Sequence, residues 1–155
     1  MPIEIRSARP SDAPAISRVI ISALQVSNTW DYAPEVIRRV EQSFSVQRVA
    51  QLIDTRQVLV AEQDEQLLGT ASLEGQVIRT VFIDPPMQGR GIGRMLMLAI
   101  TRLAREQGIA ELFVPSSLTA QGFYQRLGFE LQREVIDGAE RTLVMVRRLQ
   151  ADTPD

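Results

Sequence analysis

Residues 84–96, DPPMQGRGIGRML, set two prolines, three glycines and two arginines ahead of an apolar run. These residue types at this spacing suit the capture of an anion by the main chain. Glycine lacks a Cβ and opens positive φ, so Gly89, Gly91 and Gly93 let the backbone approach a ligand closely. The stretch leads into a helix, whose first amides lack intrahelical acceptors and carry partial positive charge. Arg90 and Arg94 oppose that partial charge unless a polyanion is bound, and a phosphate or pyrophosphate would use both side chains. Without a ligand the same stretch reads as a glycine-rich turn with solvated arginines.

Two familiar phosphate patterns fail at named positions. GxxxxGK[ST] is absent, and the chain holds no lysine: all 17 basic residues are arginine. For GxGxxG, Gly89 and Gly91 fit but the third glycine falls at Arg94; starting from Gly91 it falls at Leu96. The chain also has no cysteine and no histidine. Disulfides, Cys/His zinc sites and Ser-His-Asp or Cys-His nucleophiles are therefore excluded, as is a Schiff-base lysine. An enzyme built from what remains must take its reactive group from a cofactor or substrate. No tight acidic cluster suggests a metal.

The elements that must position this loop follow from periodicity and punctuation. Residues 3–9 alternate as a first strand. Residues 10–24 read as a helix with Ser11 or Asp12 at its N-cap and Pro14 in its first turn. Residues 26–32 read as a loop, and 33–44 and 45–55 as two short helices. Strands are expected at 57–63, 67–75 and 76–84, the last ended by Pro85 and Pro86. A helix is expected from about Gln88 to Gln107, with Gly108 as its C′ residue. A strand at 110–115 and a helix capped by Ser116 or Ser117 follow. Two final strands, 129–136 and 141–149, join through Asp137-Gly138. At 155 residues, 45% hydrophobic and 23% charged, this is one α/β domain over 1–149 with a frayed tail at 150–155. A formal net charge of −2 gives no general attraction to nucleic acid. No apolar run reaches the roughly 20 residues of a membrane span, and no signal peptide is evident, so a cytoplasmic location is expected.

Two stretches together resemble a known family. QGRGIG (88–93) fits Q/R-x-x-G-x-G/A, and AQGFYQRLGF (120–129) fits A-x-x-[FL]-Y-x-x-x-GF. Both are motifs of the GCN5-related N-acetyltransferases, and VFIDP (81–85) resembles the end of that family's fourth strand. The resemblance implies the family's acyl-CoA N-acyltransferase fold, a mixed, mostly antiparallel sheet flanked by helices. It implies that acetyl-CoA is the co-substrate. Val81, Phe82 and Ile83 would pair with the pantetheine arm. Gln88, Gly89, Arg90, Gly91, Ile92, Gly93 and Arg94 would hold the pyrophosphate. Tyr124 matches the tyrosine that protonates the departing CoA thiolate. On spacing alone Tyr124 reads equally as a core aromatic, because Ala120, Phe123, Tyr124 and Leu127 share one helical face.

The chain departs from the pattern in places. Ser117 stands where the family often has a cofactor-contacting Asn. Val77 and Leu112 stand near the positions of the family's general-base glutamates. Glu74 and Glu111 lie close by, but an offset of one along a strand changes the face. The acceptor, a small-molecule or peptide amine, would be received by Trp30, Asp31 and Tyr32, where two aromatics flank a carboxylate. Arg79 shares strand parity with Val77 and Val81 and would read an acidic group on the acceptor, or else pair within the sheet. The terminal strands offer an edge through which two copies could pair. A non-catalytic acyl-CoA-binding domain on the same fold is the alternative reading, and a nucleotide-binding module is a third.

Overall fold

The computed structural model describes residues 2–28, 34–138 and 140–149. Seven strands form one sheet in the order β1-β2-β3-β4-β5-β7-β6. They are β1 (Glu4–Ser7), β2 (Gln57–Gln63), β3 (Gln66–Glu74), β4 (Val77–Ile83), β5 (Glu111–Ser116), β6 (Glu130–Asp137) and β7 (Glu140–Arg148). The helices are α1 (Ala13–Asn28), α2 (Pro34–Gln42), α3 (Val46–Thr55), α4 (Ile92–Glu106) and α5 (Gln121–Arg126). Pairing is antiparallel for β1 with β2, β5 with β7 and β6 with β7, and parallel for β4 with β5 at Val77 and Phe113. This is the mixed, mostly antiparallel sheet that the sequence leads one to expect. The chain falls into two compact units, Met1–Ser72 with Thr80–Met97, and Leu73–Arg79 with Leu98–Asp155.

The first unit is built around α1. Ala13, Ile16, Ile20 and Leu24 recur at helical spacing and are buried with Val49, Val60 and Leu67. Ser17, also buried on α1, donates from Oγ to the Phe44 carbonyl at 2.6 Å. Ahead of α1, Arg6 spans two carboxylates. Its Nη1 and Nη2 donate to Asp12 at 2.8 and 3.1 Å, and its Nε and Nη2 donate to Glu62 Oε2. Asp12 also accepts from the Arg9 amide at 2.7 Å. Asp12 therefore closes a 3-10 turn, Pro10–Asp12, rather than capping α1. At its other end α1 runs on to Asn28, so the loop expected from residue 26 begins later.

In the second unit β5 and β7 alternate. Leu112, Val114 and Ser116 of β5 and Leu143 and Met145 of β7 are buried. Both helices that end here do so on glycine. Gly108 (φ 74) donates to the Arg105 carbonyl, and Ile109 donates to Ala104. Gly128 (φ 95) donates to Gln125, and Phe129 donates to Tyr124. Each pair of bonds is a Schellman closure, which needs a left-handed residue at C′ and so selects glycine.

Candidate functional site

β4 reaches the loop through a strained residue. Thr80 has φ +57, a conformation that a β-branched side chain rarely adopts. Arg56 Nη1 donates to Thr80 Oγ1 at 3.1 Å. The bend at Thr80 breaks the alternation that would relate Arg79 to Val81. Beyond it Val81, Phe82 and Ile83 are half-buried. Phe82 meets Phe44 edge to face, with centroids 6.1 Å apart.

After β4, Pro85–Met87 make one 3-10 turn, in which Met87 donates to Asp84 at 2.8 Å and Gln88 to Pro85 at 3.3 Å. Helix α4 starts at Ile92 and not at Gln88: its first bond runs from Met95 to the Gly91 carbonyl at 3.1 Å. The cause is the backbone of Gly89 and Gly91, whose φ values of 82 and 78 are incompatible with a right-handed helix. Helical periodicity continues back to Gln88 in the sequence, but the glycines overrule it. Six consecutive amides, Gly89 to Arg94, donate to no backbone carbonyl among the described residues. Gln88, Arg90 and Arg94 are exposed, whereas Ile92 is buried and anchors the segment. A Cβ at Gly89 or Gly91 would meet nothing within 4 Å. Space is therefore not what requires glycine there. Conformation is.

Gly69, which sequence reasoning passed over, requires glycine for the opposite reason. It is buried in β3, and a Cβ there would lie 2.8 Å from Ile83 Cδ1, 3.1 Å from the Phe82 carbonyl and 3.3 Å from Ile92 Cγ2. The loop's two anchors thus rest on the missing side chain of one strand residue. A glycine in the interior of a strand pattern was the available signal, since it marks close approach of another backbone.

In the second unit Tyr124 is 6% exposed and packs edge to face on Phe123 and Phe129, with centroids 5.1 and 5.9 Å apart. Its spacing from Gly128 and Phe129 has a structural cause. Tyr124 is the C3 residue of the Schellman closure, Gly128 is C′ and Phe129 is C″, so C3 and C″ meet through both backbone and rings. Burial pushes the phenol up to about 12, so it holds its proton through the neutral range. The hydroxyl makes no hydrogen bond to another described residue. Ser117 Oγ accepts from the Ala120 amide at 3.2 Å, and α5 begins only at Gln121. Ser117 therefore caps the turn before the helix, not the helix, and Ser116 donates instead to the Ser117 carbonyl at 2.7 Å.

The other candidates divide. Arg79 Nε donates to Glu74 Oε1 at 3.1 Å on the exposed β3–β4 hairpin. Glu111 lies opposite Arg148, 3.8 Å from its Nε. Both glutamates thus face arginines at the surface, while Val77 is half-buried and Leu112 fully buried. Trp30, Asp31 and Tyr32 lie outside the described residues. Among the described residues no helix is long and apolar enough to cross a membrane.

Residues 28–144 match the family of acetyltransferase (GNAT) domains. The chain belongs to the GNAT family. Among curated GNAT relatives, the uncharacterized N-acetyltransferase YafP of Escherichia coli is 27% identical over 132 residues, covering 85% of this chain and 84% of that protein. The peptidyl-lysine N-acetyltransferase YjaB of Salmonella typhimurium is 36% identical over 74 residues, covering 48% of this chain and 49% of its own. The GNAT fold is shared with the PaiA N-acetyltransferase of Thermoplasma acidophilum, solved in complex with coenzyme A. The TM-score is 0.84 at 20% identity, over 96% of this chain and all (100%) of that one.

Proposed function

We propose that this GNAT chain transfers the acetyl group of acetyl-CoA to a primary amine by direct attack in a ternary complex. The observation that carries the reading is the run of six unpartnered amides from Gly89 to Arg94, with Arg90 and Arg94 exposed among them. Such a run at a helix N-terminus satisfies several anionic oxygens at once. It therefore takes the CoA pyrophosphate, with Gln88 beside it and Ser117 a further donor to the cofactor. Val81, Phe82 and Ile83 offer main-chain groups to the pantetheine arm. A backbone amide of this strand polarises the thioester carbonyl.

The amine nitrogen attacks the carbonyl carbon, the C–N bond forms and the C–S bond breaks. Tyr124 donates its phenolic proton to the leaving sulfur and recovers one from water. The amine's surplus proton also passes to water, since the glutamates nearest the family's base positions face Arg79 and Arg148. The acceptor is a small-molecule or peptide amine, received at Trp30, Asp31 and Tyr32, with Arg79 available to an acidic acceptor once Glu74 lets go. The test is CoA-thiol release over a panel of amines and lysine peptides. Tyr124→Phe should lower kcat about a hundredfold or more with acetyl-CoA affinity unchanged.

The same engaged glutamates favour one second reading, an acyl-CoA-binding domain that does not turn over. Thermal stabilisation by acetyl-CoA with no thiol release across the whole panel would establish that reading and end the first.

A further inference from the structure

β6 is the edge strand of the sheet, and all eight of its residues are exposed. Six large apolar side chains stand exposed among the described residues, and three are on this strand: Leu131 at 49%, Val135 at 38% and Ile136 at 67%. Edges are ordinarily blunted by proline, by charged side chains and above all lysine, by short length or by bulges, and the charges of β6, Glu130, Arg133, Glu134 and Asp137, are of both signs. β6 holds no proline or lysine, and its one irregularity lies between Leu131 and Arg133. From Arg133 to Asp137 its register with β7 is unbroken.

The hairpin sets the phase of the free edge. Asp137 is opposite Glu140 with two residues between them, and the closing pair of a two-residue turn is hydrogen-bonded. Counting back, Val135 and Arg133 direct their main-chain groups to β7, whereas Ile136 and Glu134 direct theirs outward. A second antiparallel copy must therefore bond through Glu134 and Ile136. Three two-fold registers keep the copies near this centre. Centring on Glu134 sets two glutamates face to face, which is unfavourable. Centring on Ile136 sets Ile136 against Ile136 but puts Val135 against Asp137 on both sides and makes no pair of opposite charges. Centring on Val135 sets Val135 against Val135, Glu134 against Ile136 in bonded pairs, and Arg133 against Asp137 twice. All three registers satisfy the bonding phase, but only this last one joins apolar to apolar at its centre and also pairs opposite charges at both ends.

We infer that the chain forms a two-fold dimer by antiparallel pairing of β6 with β6, centred on Val135. This inference is independent of the proposed reaction.

Light scattering on a sizing column, across a dilution series, tests it. The wild-type chain should run as a dimer. Arg133→Asp and Asp137→Arg should each run as monomers, because each sets like charges face to face twice. An equimolar mixture of the two variants should regain the dimer, because every facing pair is then of opposite charge. Ile136→Pro, which removes an outward amide and no ladder bond to β7, should be a monomer with an unchanged circular dichroism spectrum. A monomeric wild type at every loading would overturn the inference and leave this edge to a different partner. So would a dimer that survives both charge variants, or a mixture that stays monomeric.

Discussion

Replacing Gly69 with alanine adds one methyl group where three atoms converge. Ile83 Cδ1, 2.8 Å away, is the end of a flexible side chain and can swing aside. The Phe82 carbonyl at 3.1 Å is backbone and cannot, and Ile92 Cγ2 at 3.3 Å belongs to the buried anchor of α4. Overpacking of this kind costs about 1–3 kcal/mol. At this chain length each kcal/mol moves the melting temperature by about 2–4 °C. Gly69→Ala should therefore melt about 2–12 °C below the wild type. Because the displaced groups are the strand and the helix start on either side of the loop, acetyl-CoA should also bind more weakly. Gly75→Ala is the control. Gly75 lies on an exposed turn at φ +61 with nothing within 4 Å, so alanine there meets only left-handed strain of about 1 kcal/mol. Its acetyl-CoA affinity should equal that of the wild type. Differential scanning calorimetry and isothermal titration with acetyl-CoA read both quantities. A Gly69→Ala protein that melts and binds like the wild type would refute the argument that this glycine supports the loop.

Three further outcomes follow from the same geometry. Arg90→Ala and Arg94→Ala should each weaken acetyl-CoA binding about 3- to 10-fold, as expected for an exposed charged contact; titration calorimetry at low and high salt should show the loss shrinking as salt rises. Asp12→Asn should destabilise the chain at neutral pH. The hydrogen bonds from Arg6 hold the Asp12 carboxyl below its ordinary value, so their contribution is present above about pH 4 and lost as pH falls through the folded-state pKa. Urea titrations of wild type and variant should thus converge in acid. Tyr124 has the reverse sign: its folded pKa is raised by burial, so the stability is intact below about pH 10 and lost as pH rises towards about 12. Relative to Tyr124→Phe, the wild type should lose up to about 3 kcal/mol over that window in alkaline urea titrations.

The sequence was most legible where local rules and tertiary packing agree. The apolar run Val58–Ala61 and the turn residues after Gln63 mark β2 to the residue, and Gly108 and Gly128 announce two helix ends because only a left-handed C′ closes them. It misled where one local rule overrode another. Periodicity extends α4 back to Gln88, but the positive φ of Gly89 and Gly91 keeps Gln88 to Gly91 out of the helix and leaves the amides from Gly89 onward open. Parity along β4 carries Arg79 past Thr80 unchanged, yet the bend at Thr80 breaks that parity and Arg79 pairs with Glu74. Of the site, the loop was legible because its chemistry is main-chain chemistry, written in glycines. Gly69 was passed over because its reason is three-dimensional: the atoms it makes room for come from two other segments of the chain.

The most direct measurement is a nitrogen-15 NMR titration of the labelled chain with coenzyme A. Saturable shifts of the Gly89, Gly91 and Gly93 amide signals, together with Arg90 and Arg94, are the expected result, with ATP at equal concentration leaving them in place. Coenzyme A binding that leaves these amides unmoved would contradict the assignment of the loop.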